Sequence, residues 1–174
     1  MCSKKGGMIV IGIYRGYKYF TIPDREKGVV LLTRDEFKKI EGFESKRSYF
    51  RKSVDISDPD LTSLYMSQFF VRYKDNIETD EYWCVNDGRD VGGKQDVENG
   101  ILVLRVSHNP KDSTWTKFVE GVSLKTVRLE DCMEYILIRQ YAKRNGEVAH
   151  CTEKKNMTAN QFQKEMIKNR IWEL

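Results

Sequence analysis

The stretch Met8-Ile-Val-Ile-Gly-Ile-Tyr-Arg-Gly-Tyr-Lys-Tyr-Phe-Thr-Ile22 decides the fold class that the sequence predicts. Two segments rich in β-branched and aromatic residues flank Arg15-Gly16, and this pattern is typical of two strands joined by a tight reversal. A third strand is expected at residues 29–32. Apolar segments separated by turn residues then predict a later meander, with strands at residues 101–107, 115–119 and 122–127. The sheet is therefore expected to be mainly antiparallel.

Two helices are expected in the first half of the chain. Thr33 and Glu36 have the spacing of a capping box, which predicts a short helix that ends at Gly42. Asp58 and Pro59 supply an N-cap and a first-turn proline. They predict a second helix, which would carry the apolar residues Leu61, Leu64, Tyr65 and Phe69.

Two further helices are expected in the second half. Asn145-Gly146 would end a helix whose core-facing residues have the spacing of one helical face, namely Leu129, Cys132, Met133, Ile136, Leu137 and Tyr141. After a short strand at residues 147–152, Thr158 and Gln161 predict a capped terminal helix. A chain of 174 residues can bury one sizeable core. We therefore expect a single α+β domain over residues 1–174, in which a mainly antiparallel sheet carries about four helices.

Charge is distributed unevenly along the chain. The 30 Lys and Arg residues exceed the 26 Asp and Glu residues only slightly, for a formal net charge of +4. Residues 1–22 contain no acid, whereas residues 75–100 contain eight acids and only two basic residues. That acidic stretch is also the least regular in pattern, and we expect a mobile loop region there. Charge segmented in this way favours macromolecular partners.

The cysteines and the apolar runs indicate where the protein resides. Cys2, Cys84, Cys132 and Cys151 are far apart in the sequence, and no secretory signal precedes them. The longest apolar runs are much too short to span a bilayer. We therefore expect a cytoplasmic protein in a reducing environment, with no membrane partner.

Catalytic and metal-binding motifs are incomplete. The sequence Gly88-Arg-Asp-Val-Gly-Gly-Lys94 has the spacing of a phosphate-binding loop, but Gln95 stands where that loop needs a Ser or Thr hydroxyl for magnesium. The cysteines and histidines lack the clustered spacing of a zinc site. No metal and no cofactor are therefore expected.

A metal-dependent phosphodiester-cleaving enzyme is the alternative function. His108 followed by Tyr141 resembles the histidine and tyrosine motifs of rolling-circle replication initiators, although that family has a histidine pair. The resemblance implies a metal held by His108 and a nucleophilic Tyr141. Glu153-Lys154-Lys155 also has the Glu-x-Lys form of many nucleases, in which carboxylates hold magnesium and lysine steadies the attacking water.

A basic and aromatic strand is the first candidate binding site. If residues 46–52 are extended, Arg47, Tyr49 and Arg51 share one face. Guanidinium groups beside an exposed ring offer phosphate contacts and a stacking platform, each stacked base contributing about 1–3 kcal/mol. Arg15 and Lys18, in the basic–aromatic run of the first hairpin, would extend this nucleic-acid-binding site.

An acidic surface is the second candidate. Asp80, Glu81, Asp87 and Asp90 could fill the basic groove of a host nucleoprotein as a mimic of nucleic acid. We therefore expect a small non-enzymatic binding protein that acts by occupying either nucleic acid or a host nucleoprotein. Its size and segmented charge are typical of viral or mobile-element accessory and inhibitor factors.

Overall fold

The chain forms two compact units, each with its own hydrophobic core. The computed structural model describes residues 9–23, 28–73, 82–86, 93–107 and 114–169. Within that part of the chain, the N-terminal unit contains Ile9–Ser67 and Arg139–Glu153, and the central unit contains the rest. The expectation of a single domain over residues 1–174 stays a prediction.

Antiparallel strands build the N-terminal unit. Its strands lie in the order β4-β5-β3-β2-β1-β6, and each pair of neighbours is antiparallel. Their bounds are β1 Ile9–Tyr14, β2 Tyr17–Pro23, β3 Gly28–Thr33, β4 Glu44–Ser45, β5 Phe50–Asp55 and β6 Leu61–Tyr73. Only the first part of β6, up to Ser67, belongs to this unit.

The first hairpin confirms the strands predicted around Arg15-Gly16. Tyr14 is paired with Tyr17, so the turn contains two residues. Arg15 has φ 49° and Gly16 has φ 81°, both in the left-handed region. This conformation matches the right-handed twist of the flanking strands and is the usual two-residue hairpin turn. The turn chemistry therefore sets the register of β1 against β2.

One hydrophobic cluster of the N-terminal unit lies on one face of its sheet. The alternation of β3 places Val29, Leu31 and Thr33 inside and leaves the residues between them half-exposed. Their buried apolar neighbours come from four other strands, and they are Tyr14, Tyr19, Val54, Leu61 and Leu64. Each buried Val, Leu or Ile contributes about 1.5–3 kcal/mol relative to its exposed state.

The central unit combines antiparallel strands with helices. Its strands follow the order β6-β7-β8-β10-β9. The remaining bounds are β7 Trp83–Val85, α1 Lys94–Glu98, β8 Ile101–Val106, β9 Thr116–Val119, β10 Val122–Arg128, β11 Cys132–Arg144, β12 Glu147–Met157 and α2 Ala159–Lys168. Strand β11 pairs with β12, and both continue into the N-terminal unit. The three strands predicted for the meander are present as β8, β9 and β10, but β10 lies between β8 and β9, so the predicted meander order is wrong.

Helix α2 closes the core of the central unit. Thr158 caps it, and Gln161 completes the capping box, as the sequence predicts. Phe162 is fully buried and meets the ring of Phe69 edge-on, with the centroids 5.4 Å apart. The ring of Tyr135 packs against Phe162 as well, at 5.3 Å. These ring contacts hold the helix on the sheet.

The prediction of an α+β fold with about four helices is wrong. The described residues contain two α-helices, α1 and α2, and the fold is closer to all-β. The segment after Asp58-Pro59 is the strand β6. Its buried residues Leu61, Leu64, Phe69 and Val71 fit parts of both a helical and an extended period, so its aromatic and β-branched composition is the better guide.

The helix predicted over residues 129–144 is also wrong. Apart from a short 3-10 helix at Leu129–Asp131, the segment forms β11. Asn145 has φ 52° and Gly146 has φ 85°. The pair therefore does not end a helix but forms the two-residue hairpin turn from β11 to β12, because Asn-Gly readily adopts the left-handed conformation at both positions.

The prediction of a helix from Thr33 to Gly42 is wrong. The segment contains only a short 3-10 helix, Glu36–Lys38. Thr33 is buried at the end of β3, opposite Phe50, and its hydroxyl accepts a hydrogen bond from the Asp35 amide. The helix cap is Asp35 instead, which accepts from the Phe37 amide. Pairing of Thr33 in the sheet therefore prevents it from acting as the cap.

The acidic stretch at residues 75–100 is described only in part. Its described portions are residues 82–86, which contain strand β7, and residues 93–100, which contain helix α1. The remainder lies outside the described residues. In the described part of the chain, no helix is long and apolar enough to cross a membrane.

A buried lysine gives the first test of this fold. Lys143 on β11 is only 1% exposed, and its ammonium group donates to the carbonyl oxygens of Ile56 at 2.8 Å and Asp58 at 2.7 Å. Lys143→Met keeps the aliphatic stem but leaves both acceptors without this donor. We expect a loss of about 1–3 kcal/mol in the free energy of unfolding, measured by urea denaturation. Lys155→Met, on the exposed side of β12, is the control and should be nearly neutral.

Candidate functional site

A basic segment connects β3 to β5. This connecting segment, residues 34–49, contains the 3-10 helix and the short strand β4. From Arg34 to Lys52 the chain has seven Lys or Arg residues and four Asp or Glu residues. The segment and the start of β5 are therefore a candidate surface for an anionic partner.

Three contacts fix the connecting segment to the sheet. The Tyr19 hydroxyl on β2 donates to the carbonyl oxygen of Lys38 at 2.8 Å. The Lys52 ammonium on β5 donates to the carbonyl oxygen of Glu41, also at 2.8 Å. The rings of Tyr19 and Phe43 stack with centroids 5.3 Å apart. The segment is therefore ordered before any partner binds, which lowers the entropy cost of binding.

Phe37 is the most exposed large apolar side chain of the connecting segment. It is 94% exposed, in the middle of the 3-10 helix, whose backbone is fixed by the Asp35 cap on one side and the Tyr19 contact on the other. Sequence reasoning missed Phe37, because it placed this residue inside a longer helix. An aromatic ring held in solvent by an ordered backbone is a suitable platform for a partner to cover.

Arg47 and Tyr49 lie at the tip of a small hairpin rather than on a strand. Strand β5 begins only at Phe50, and the amide of Lys46 donates to the carbonyl oxygen of Tyr49 at 2.8 Å. The predicted extended strand over residues 46–52, with Arg47, Tyr49 and Arg51 on one face, is therefore only partly formed. Tyr49 is 38% exposed, and Arg47 has no hydrogen bond or ion pair to any described residue.

Arg51 is already paired within the hairpin. Its Nε lies 3.2 Å from the Glu44 carboxylate, and the Lys46 ammonium approaches the same oxygen at 3.2 Å. Hydrogen bonds from Lys46 and Arg51 hold the pKa of Glu44 below its usual value. Since the carboxylate keeps its charge, a phosphate would have to displace it to reach Arg51.

The ring of Tyr14 joins the two basic–aromatic runs. The guanidinium carbon of Arg15 lies 5.6 Å from the ring centroid, and the ammonium of Lys52 lies 5.1 Å from it. Arg15 also pairs with Asp60 at 2.7 Å. Lys18 is opposite Ile13 in the sheet, so it lies on the face away from Tyr14. The structure thus brings Arg15, but not Lys18, toward β5.

We call the resulting set the basic–aromatic surface. One group of its residues consists of cations that lie over aromatic rings. The other group consists of two exposed rings, Phe37 and Tyr49, and the exposed cation Arg47. Lys39, whose ammonium is 4.8 Å from the ring centroid of Phe50, belongs to the first group. The members are Arg15, Phe37, Lys39, Arg47, Tyr49, Phe50, Arg51 and Lys52, together with the buried ring of Tyr14 that Arg15 and Lys52 contact.

The predicted acidic site cannot be compared with this surface. Asp80, Glu81, Asp87 and Asp90 all lie outside the described residues. His108, the first residue of the enzyme alternative, lies outside them too. The structure therefore describes the basic candidate and leaves the acidic one as a prediction from sequence.

Tyr141, the predicted nucleophile, is engaged in other contacts on β11. Its hydroxyl donates to the Glu153 carboxylate at 3.1 Å, and the Arg144 guanidinium lies 4.8 Å from its ring centroid. Burial and then the Glu153 contact raise its pKa above the ordinary value. A raised pKa disfavours the phenolate form that attacks phosphodiesters. Among the described residues, no three His, Cys, Asp or Glu side chains are grouped to hold a metal ion.

The contact that fixes the connecting segment can be tested by pH. Burial raises the pKa of Tyr19 from 10 to about 12. The folded protein therefore keeps a proton that the unfolded chain releases, so stability is full below about pH 10 and falls as the pH approaches 12. Tyr19→Phe should lose about 0.5–1.5 kcal/mol at pH 8, and its stability should decline less steeply between pH 10 and 12 in urea titrations.

Tyr17→Phe is the matched control for that experiment. Tyr17 is on the same strand and 45% exposed. An alkaline decline that is equally steep in the native protein and in Tyr19→Phe would show that the Tyr19 hydroxyl does not carry this pH dependence.

Comparison with known proteins gives no assignment. The chain matches no protein-family model, no curated protein and no solved structure.

Proposed function

We propose that this chain is a non-enzymatic binding protein that occupies nucleic acid through the basic–aromatic surface. One observation carries the proposal: Phe37, 94% exposed, stands on an ordered backbone within a segment in which cations outnumber acids. Nucleic acid offers both phosphates for the cations and planar bases for the rings. Proteins that bind single strands combine these two kinds of contact.

The surface separates stacking groups from charged groups. Phe37 and Tyr49 are exposed rings on which unpaired bases could stack, contributing about 1–3 kcal/mol per base. Arg47, at the hairpin tip, has no ion pair among the described residues and is the best placed to bind a phosphate. Stacking needs bases whose faces are accessible, so single strands should bind better than duplexes.

Three other cations of the surface already have partners within the protein. Arg15 and Arg51 are paired with Asp60 and Glu44, so a phosphate contact would cost each of them an existing pair. Lys52 is committed to the Glu41 carbonyl oxygen and the Tyr14 ring. We therefore assign Arg15, Arg51 and Lys52 mainly to shaping the surface, and Arg47 to direct contact.

The biological setting is part of the proposal. Binding by occupancy would suit an accessory or inhibitor factor of a virus or mobile element, and the small size and segmented charge support this origin. The widely separated cysteines support a cytoplasmic, reducing compartment. A host nucleoprotein, bound through Asp80, Glu81, Asp87 and Asp90, is the competing partner.

Binding of a labelled single-stranded oligonucleotide at several salt concentrations tests the proposal. Arg47→Ala should weaken binding and flatten the salt dependence by about one unit, because one phosphate contact is lost. Phe37→Ala should weaken binding roughly tenfold while leaving the salt dependence unchanged, because stacking involves no counterion release. Tyr49→Ala should behave like Phe37→Ala.

Matched controls come from the central unit. Phe118 on β9 is 44% exposed, and Arg128 on β10 is an exposed arginine paired with Glu130. Phe118→Ala and Arg128→Ala should bind like the native protein. Equal losses in the controls and the test variants would contradict the proposed surface.

Two other experimental results would contradict binding of nucleic acid by occupancy and would assign a different function. Capture of a host nucleoprotein that is lost when Asp80, Glu81, Asp87 and Asp90 are changed to lysine, with no oligonucleotide binding, would assign the acidic site. Magnesium-dependent cleavage of the oligonucleotide that Glu153→Ala abolishes would establish the enzyme alternative.

A further inference from the structure

In the central unit, a lysine ammonium group lies beside aromatic rings. These residues are separate in sequence from those of the basic–aromatic surface. The ammonium of Lys125 is 4.9 Å from the ring centroid of Tyr73 and 5.9 Å from that of Trp115. The ring of Trp83 packs against Trp115, with centroids 5.0 Å apart. We call Tyr73, Trp83 and Trp115 the aromatic box. All three rings are partly exposed, so solvent reaches them.

Strand register explains why these side chains meet. Trp83 is opposite Val71, and Tyr73 lies two residues further along β6, so both are on the core-facing side of the sheet. Lys125 is opposite Leu104, which is fully buried. Lys125 therefore projects toward the inward face, where a charge is unfavourable unless a partner compensates it. The rings give part of that compensation.

The chemistry of the box is that of a cation site. The faces of aromatic rings carry partial negative charge, and Trp attracts cations most strongly. A lysine ammonium is compact and strongly hydrated, so it loses much hydration on entering such a site. A methylated ammonium is more weakly hydrated, and recognition of quaternary ammonium groups by aromatic cages is well established.

We propose that the aromatic box binds a quaternary ammonium group, and that Lys125 occupies the box as an internal competitor when the ligand is absent. The ligand class follows from the observed occupant, which is a cation. A nucleobase fits less well, because Trp83 and Trp115 are inclined at 54° and leave no parallel gap for a flat ring. The group could belong to a free choline-like molecule or to a trimethylated lysine of a peptide.

Titration of the full chain with tetramethylammonium chloride tests the proposal, with the indole N–H signals of Trp83 and Trp115 followed by NMR. Sodium chloride keeps the ionic strength constant. Lys125→Ala removes the competitor and should bind the probe about fivefold to tenfold more tightly than the native protein. Lys117→Ala, on the neighbouring strand β9, removes an exposed lysine and should bind like the native protein.

Loss of a ring tests the box itself. Introduced into Lys125→Ala, the change Trp115→Leu should weaken binding at least tenfold, read from the Trp83 signal. If that variant does not fold, Trp83→Leu makes the same test, read from the Trp115 signal. Choline should bind better than its neutral isostere 3,3-dimethyl-1-butanol, because only choline has the charge that the rings attract.

The affinities of different ligands and variants show whether the aromatic box binds a cation and from which source. A peptide with trimethyllysine that binds more tightly than choline would assign the box to a protein partner, and the reverse would assign it to a small molecule; either supports the cation site. Equal affinity of Lys125→Ala and the native protein would overturn the proposal, and so would equal binding of choline and its neutral isostere. These results do not depend on whether the chain binds nucleic acid.

Discussion

Two hydrogen bonds from side chains to backbone carbonyl groups hold the connecting segment against the sheet of the N-terminal unit. Tyr19 binds the carbonyl oxygen of Lys38, and Lys52 binds that of Glu41. Ordering each residue of a free loop costs about 1–2 kcal/mol, and binding would otherwise have to supply that free energy. Because the sheet supplies it instead, Phe37 and the hairpin tip at Arg47 keep a fixed arrangement in the unbound protein.

Cations over aromatic rings recur in both units, and they explain how so charged a chain keeps lysines beside its cores. Lys52 lies over Tyr14 in the N-terminal unit, and Lys125 lies over Tyr73 and Trp115 in the central unit. The two cases differ in consequence. Lys52 also fixes a backbone carbonyl and so maintains a surface, whereas Lys125 fills a site that another cation could take. The proposed nucleic-acid and ammonium sites are therefore chemically distinct.

The Arg15-Gly16 turn and the Thr158 capping box were predictable from the sequence, and the choice between helix and strand was not. Arg15-Gly16 and the Thr158 capping box each specify a short-range geometry, and both predictions are confirmed. Residues 61–73 and 132–144 have apolar spacings that fit a helix in part, and only their pairing in the sheet decides between the two periods. Phe37 lies on a 3-10 helix whose Lys38 carbonyl oxygen is bound by Tyr19, far away in sequence, so no local pattern reveals how this exposed ring is held.

We propose that nucleic acid binds at the basic–aromatic surface. Backbone NMR of the labelled chain, recorded during titration with a single-stranded oligonucleotide, tests it most directly because every amide reports at once. The account predicts that the perturbed amides cluster at residues 34–52 and around Tyr14 and Arg15, with the amides of α2 and β9 unchanged. Perturbations concentrated in the central unit, or none at saturating oligonucleotide, would contradict it.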